Sequence, residues 1–293
     1  MDRSSQRLTL LAWTAPVIAL VVGFVVYPLG SMIVSSFSRL SFSGLYKGWA
    51  GWANYDAILV DPALPMVIRN TITWTVGIVV GTMLVSICAA LVLNEAFPGR
   101  RLVRWILVIP WATSLIITSL VFAWIFDSRL GTINVLGMNL GILQQQVPFL
   151  GQGWSAMPVL IMVGIFVSVP FATYVVLSGL QGIPQDLYEA AAIDGAGVLR
   201  RFWAITLPLL RPFIGLASLL NAIYAFNSFP IIWLMTKGGP VNDTQTLITY
   251  MYKLAFANDQ TAKAAALGTA GLVVLMVLGS LYWITLRRSG GNA

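Results

Sequence analysis

The chain has 293 residues, 58% of them hydrophobic and only 9% charged, whereas a soluble domain carries roughly a quarter charged residues; the composition argues against a soluble globule. Its net charge of +7 sits at the ends of apolar runs rather than on a polar face, so it reports membrane topology and not nucleic-acid binding. There is no histidine, and the single cysteine, Cys88, lies inside an apolar run. A disulfide framework, a cysteine zinc site and histidine acid–base chemistry are therefore missing, and Cys88 reads as a small buried hydrophobe.

Taken in chain order, uncharged runs predict transmembrane helices at about 9–36, 71–94, 105–126, 157–181, 212–236 and 264–286, each near the roughly 20 residues that span hydrocarbon. The first run is too long for the apolar region of a cleaved leader and is expected to be retained. The fold class predicted is an all-α polytopic membrane protein of six helices, forming one domain over 1–293. Six spans put both termini on one side. With the termini cytoplasmic, the inner segments hold Arg3, Arg7, Arg100, Arg101, Arg104, Arg200, Arg201, Arg211, Arg287 and Arg288. The longer outer segments hold Arg39, Lys47, Arg69, Arg129, Lys237, Lys253 and Lys263, so cation density favours that orientation.

The outer loops are rich in turn formers and aromatics, as in GWAGWANYDAILVDP (48–62) and TKGGPVNDTQ (236–245). Trp49, Trp52 and Tyr55 suit either an interfacial belt or a docking surface for an external partner.

Between the fourth and fifth runs lies EAAAIDGAGVLRRFWAITLPLLRP (189–212). Pro184 suits the start of a helix, and Gln185, Asp186 and Glu189 place acceptors and negative charge in its first turns. Gly195 and Gly197 permit a left-handed cap, and Val198 to Leu207 restarts a helix that Pro208 ends or bends. This hairpin exceeds the 2–8 residues or so of an ordinary helix connection. Either it receives a partner, or it lies on the headgroups anchored by Phe202, Trp203, Arg200 and Arg201.

The residues LYEAAAIDGAGVLRRFWAITLPLLRP (187–212) resemble the EAA loop of bacterial ATP-binding-cassette (ABC) importer permeases, with Glu189, Ala190, Ala191, Asp194, Gly195, Ala196, Phe202, Leu207, Pro208 and Pro212 in the pattern. GLQGIPQDLYEA (179–190) and TKGGP (236–240) further resemble the carbohydrate-uptake branch, the MalF-like and UgpA-like permeases. The resemblance implies a coupling helix near Pro184 to Asp194, within a loop 184–211, seated on a cytoplasmic ATPase through the charge of Glu189. It also implies a second permease subunit, two ATPase subunits and an extracellular solute-binding protein. No phosphate-binding GxxxxGK[ST] loop is present, so ATP and magnesium are expected on the partner ATPase and no cofactor in this chain.

In LLNAIYAFNSF (219–229) the residues Asn221, Tyr224 and Ser228 are spaced by three and four and are expected on one helical face, flanked by Asn227. Ser168 precedes Pro170 and Phe171, where a proline can open the backbone ladder. These side chains suit either a sugar path or hydrogen bonds between helices. By resemblance, Ser168, Phe171, Asn221, Ala225 and Ser228 fall where the maltose permease of that family meets its sugar, but Phe171 replaces a tyrosine and Ala225 an asparagine. Sugars and oligosaccharides lead as cargo, with glycerol phosphate or a polyol second. The scarcity of ionisable residues inside the spans argues against the other class considered, an ATP-independent secondary carrier.

Overall fold

The computed structural model describes residues 13–42 and 44–290, with side chains through Ile284. The predicted start of the first span at 9–12, Arg3, Arg7 and the side chains of Arg287 and Arg288 lie outside the described residues. Among the described residues five helices are long and apolar enough to cross a membrane: α1 (Trp13–Ser36), α3 (Leu64–Asn94), α7 (Gly153–Gln181), α9 (Val198–Phe226) and α12 (Thr261–Gly290). The remaining predicted span is a bent pair. α4 (Arg100–Ala112) and α5 (Leu115–Ile125) meet at 95°, because Pro110 withholds a ladder donor and Thr113 and Ser114 both take extended ψ angles of 149° and 131°. The Thr113 hydroxyl occupies the break, donating to the Pro110 carbonyl at 2.9 Å.

The chain divides into two compact units. The first comprises residues 13–64 and 250–273. After α1 the chain forms a two-stranded antiparallel hairpin, β1 (Ser38–Leu40) with β2 (Tyr46–Trp49), and the short α2 (Ala53–Leu59). Phe37 gathers Trp49, Trp52 and Tyr55 around itself at ring distances of 5.1–5.6 Å. The Asn54 amide clasps the Ser36 and Ser38 carbonyls, both at 2.9 Å. Both tryptophans remain exposed. α11 (Leu247–Phe256) brings Tyr250 to Asp61, whose carboxylate accepts the phenol at 2.6 Å. Burial and that carboxylate push the tyrosine's pKa up.

The second unit comprises residues 65–249 and 274–290. Its centre is the parallel pair α3 and α7. In lipid there is no hydrophobic drive between helices, so side-chain packing and hydrogen bonds are what hold them. The sequence GIVVG (77–81) makes room for that packing. Ile161 lies over Gly77, where an added methyl would stand 2.8 Å from its Cδ1, and Ile165 lies over Gly81. In return Ile78 and Trp74 cover Gly164. One turn further on, the Ser86 hydroxyl donates to the Val169 carbonyl at 3.2 Å. At the N-terminal end of α3 Asn70 donates to the Asn242 and Gln245 carbonyls (2.9 and 3.2 Å), and Thr71 Oγ1 accepts the Leu247 amide at 2.8 Å.

Three expectations change. The fifth span is not one helix over 212–236. α9 starts at Val198 and ends at Phe226, and α10 (Pro230–Met235) follows a break at Asn227 and Ser228. Pro208 neither ends nor bends α9 out of existence. A π-turn over Phe202–Thr206, with the Leu207 amide reaching the Phe202 carbonyl, carries the chain past it. Cys88 is exposed on α3 rather than buried, since a helix apolar all round gives no periodicity from which to choose its inner face.

Replacing Gly77 with valine forces the α3–α7 contact apart and is expected to destabilise the protein by about 1–3 kcal/mol. Ile161→Ala in the same chain should restore part of the loss. The check is the thermal unfolding midpoint in detergent; an unchanged midpoint for Gly77→Val would refute the close-approach account.

Candidate functional site

Two regions hold the candidate residues. The first is the hairpin between α7 and α9. Its helix α8 (Gln185–Ile193) begins after Pro184, which takes φ −58° and ψ 135°, and carries Asp186 in its first turn where the helix dipole favours an anion. It ends in a hydrogen-bonded reversal. The Gly195 amide donates to the Ala192 carbonyl (3.0 Å) and the Ala196 amide to the Ala191 carbonyl (2.8 Å), with Gly195 at φ +75°. This is the two-bond Schellman closure, which needs a residue free of Cβ strain at the left-handed position. Of the two glycines expected there, only Gly195 is left-handed; Gly197 is extended and precedes α9 at φ −67°.

α8 is fastened to the membrane bundle by Tyr188, which packs with Leu180, Ile183 and Leu210 and shares a 2.9 Å hydrogen bond with the Thr206 hydroxyl in the π-turn. What faces away is the sequence-predicted set. Glu189, Ala190 and Asp194 are exposed, and Ala191 and Ala196 are partly buried. Among the described residues no cation pairs with Glu189. Around it stands an exposed apolar rim, with Ile193 at 88%, Val198 at 77% and Trp203 at 61% exposure. A notch of about 240 Å³ opens inside the hairpin beside Ala191, Asp194, Ala196 and Arg201. The Nε of Arg201 is buried there without a partner.

The second region is a polar level inside the second unit. α7 and α9 run antiparallel, as two clusters register: Ala217 packs with Ala172, and Ala225 with Leu160 and Val163. Ser168 lies between the α7 members of those clusters and Asn221 between the α9 members, so both fall at one depth. Ser168 Oγ, Asn221 Nδ2 and Ser228 Oγ are all buried without a hydrogen-bond partner. Next to them, at the Trp74 end, Trp74, Met157, Ala225, Ile231 and Met235 belong to one buried apolar plug. Trp74 locks it by donating its indole N–H to the Ala225 carbonyl at 2.8 Å.

The expected single face of Asn221, Tyr224 and Ser228 is not observed. Asn227 ends α9, its side-chain amide donating to the Ile223 carbonyl at 2.9 Å, and Ser228 sits in the break that follows. Tyr224 turns away, 46% exposed. Phe171 is partly buried. Pro170 does not break α7, which runs unbroken through it. Sequence reasoning missed Thr75 and Thr82 on α3, whose hydroxyls are also buried and unpartnered. Their spacing of seven residues was the available signal.

Residues 77–288 match the family described as the binding-protein-dependent transport system inner membrane component, and the chain belongs to it. This is the class of ABC transporter permeases, which makes the chain a multi-pass inner-membrane transport subunit and not an enzyme. It is 34% identical over 283 residues to the sulfoquinovosyl glycerol transport system permease protein SmoG of Agrobacterium fabrum, covering 96% of this chain and 91% of that one. It is 42% identical over 230 residues to a probable ABC transporter permease protein of Brucella suis biovar 1, covering 78% and 80%. The sn-glycerol-3-phosphate permease UgpA of Brucella abortus biovar 1 is 31% identical over 265 residues, covering 90% and 89%. The fold matches a chain of a bacterial ABC transporter for import of the acidic polysaccharide alginate, with a TM-score of 0.85 at 23% identity over 97% of this chain and 96% of that one. That transporter has also been seen in complex with a periplasmic protein carrying an alginate pentasaccharide.

Because Gly195 meets no neighbouring atom yet holds φ +75°, Gly195→Val should cost about 1–2 kcal/mol through backbone strain alone. Gly197→Ala should be near neutral. Amide hydrogen exchange at residues 195 and 196 checks this; equal protection in both variants would contradict the assigned turn.

Proposed function

We propose that this chain is the permease that carries a neutral sugar or oligosaccharide, handed over by an extracellular solute-binding protein, through a path it forms with a second permease subunit. Both termini and the α8 hairpin face the cytoplasm, and two ATPase subunits, which bind ATP and magnesium, seat on the hairpins. The observation that carries the reading is the conjunction of a hydrogen-bonded, exposed hairpin bearing an unpaired Glu189 with a buried level of uncharged polar groups.

The hairpin has the properties a docking plug needs. Its turn is closed by two backbone bonds, its rim is apolar, and its carboxylate awaits a cation. A Lys or Arg on the ATPase pairs with Glu189, and Ala190, Ala191 and Ala196 keep the contact surface low. Asp194 and Gly195 shape the turn. When nucleotide draws the ATPase subunits together, the hairpin moves with its seat, and α9, continuous from Val198 to Phe226, carries the displacement to Asn221 and the Trp74–Ala225 lock. Release of that lock opens the path outward.

The solute class follows from what the polar level contains. Ser168, Asn221 and Ser228 offer hydroxyl and amide groups, with Phe171, Tyr224 and Ala225 along the same helices, and aromatic faces with amide groups suit sugar rings and their hydroxyls. The named solute of SmoG, sulfoquinovosyl glycerol, shares the sugar and its hydroxyls but carries a sulfonate, so it supports the sugar class and not its neutrality. A phosphate-bearing cargo, as named for UgpA, is the second reading. It lacks a cationic partner here, as no Lys or Arg stands at 70–94, 153–181 or 212–226.

Glu189→Arg should leave membrane insertion intact while abolishing ATP-driven uptake and co-purification of the ATPase. Removing one side of a partly desolvated ion pair costs about 3–5 kcal/mol, a loss of roughly a hundredfold or more in affinity. Affinity purification of the tagged chain followed by mass spectrometry reads the result. An ATPase recovered at wild-type yield with the variant would defeat the plug assignment.

A further inference from the structure

The polar level has a third side that the α7 and α9 residues do not account for. On α3, Thr75, Thr82 and Ser86 are spaced by seven and four residues and so lie on one stripe. Ser86 gives its hydroxyl to α7, but Thr75 Oγ1 and Thr82 Oγ1 have no partner, and Thr82 is wholly buried. A helical threonine has an easy default, a bond from its hydroxyl to the carbonyl four residues earlier. Thr71 takes it with Val67 (2.7 Å) and Thr236 with Ile232 (3.0 Å), as do Ser119 and Thr269. Thr75 and Thr82 decline it.

Depth can be read from the neighbours. Gly81 lies against Ile165 and Ser86 against Val169, which sets Thr82 within a turn of Ser168. Trp74 reaches Ala225 at one end of the stripe, and Met83 packs with Ala172 and Ala217 at the other. Thr75 and Thr82 therefore occupy the interval that holds Asn221 on α9. Among the described residues, five unpartnered polar atoms (Thr75 Oγ1, Thr82 Oγ1, Ser168 Oγ, Asn221 Nδ2 and Ser228 Oγ) fall at this level on α3, α7, α9 and the break after it, with Thr173 Oγ1 and Arg201 Nε also unpartnered nearer the hairpin. Leaving so many such groups unmet in one apolar bundle is costly, and a hydrogen-bonding guest removes the cost. None of the five is ionisable, so the guest that suits them is neutral and rich in hydroxyls.

We propose that α3 forms a third wall of the solute path, with Thr82 and Thr75 presenting hydroxyls to a neutral, polyhydroxylated ligand opposite Ser168 and Asn221. The proposal rests on the path reading given above. The wall is sealed in the present conformation by the Trp74 plug and becomes wet when the plug opens.

The test is cysteine accessibility in the assembled transporter, in a Cys88→Ser background. Thr82→Cys, Ser168→Cys, Asn221→Cys and the exposed control Leu84→Cys are each treated with a small, charged methanethiosulfonate in nucleotide-free and ATP–vanadate-trapped vesicles. The reactive species is the thiolate, which apolar surroundings suppress, so a path-facing cysteine should react about tenfold or more faster than the lipid-facing control in at least one state. Should Thr82→Cys not assemble, Thr75→Cys is read by the same standard. A slow Thr82→Cys beside fast Ser168→Cys and Asn221→Cys overturns the third wall and leaves the path standing. If all of them are slow, the path reading falls as well.

Discussion

In a bilayer every buried polar group must find its partner inside the protein, because lipid offers none. That constraint explains most of this chain. It makes the spans helical, since a helix pairs its own backbone, and it confines irregular backbone to the breaks at Thr113–Ser114 and Asn227–Ser228, where Thr113 and Asn227 turn their side chains back onto carbonyls of the preceding turn. It also gives meaning to the exceptions. Ser168, Asn221, Ser228 and Thr82 are buried and unmet, within a bundle whose other hydroxyls mostly settle on a carbonyl one turn away.

The same constraint sets the energetics of the bundle. With apolar surface equally content in lipid, α3 and α7 cohere through the depth of their contact: glycines at 77, 81 and 164 accept isoleucine side chains from the facing helix. Rigidity follows, because interlocked ridges cannot slide in small steps. The α8 hairpin is held in kind. Gly179 lets Phe213 and Leu210 come close, and Tyr188 joins α8 to the π-turn at Thr206. A continuous helix from Val198 to Phe226 then links an exposed carboxylate at one end to the polar level and the Trp74 plug at the other.

Much of this was legible in the residues themselves. The apolar blocks gave four of the long helices nearly to their ends, and the EAA-type stretch pointed to a helix, a glycine turn and a second helix where all three are found. What escaped has physical reasons. The bend in the third apolar run depends on Thr113 and Ser114 leaving helical ψ together, and neither residue announces that locally. The fifth run stops at Phe226 because Asn227 caps and Pro230 cannot donate, signals masked by the apolar residues on both sides. Cys88 and Thr82 sit three residues either side of Val85 on one helix yet lie on different faces, one exposed and the other buried in the bundle. In a helix apolar all round, only the facing helix decides between them. The single face expected for Asn221, Tyr224 and Ser228 is broken up because α9 ends at Phe226, leaving Asn221 and Ser228 buried and Tyr224 exposed.

The account turns on the α8 hairpin being the seat of the ATPase. A photoreactive amino acid in place of the exposed Ile193, irradiated in native membranes, tests this most directly. The account predicts one dominant adduct, with an ATPase subunit that carries a phosphate-binding loop, and weakening of that adduct in a Glu189→Arg chain. Crosslinking to lipid alone, or an ATPase adduct unchanged by Glu189→Arg, would contradict it.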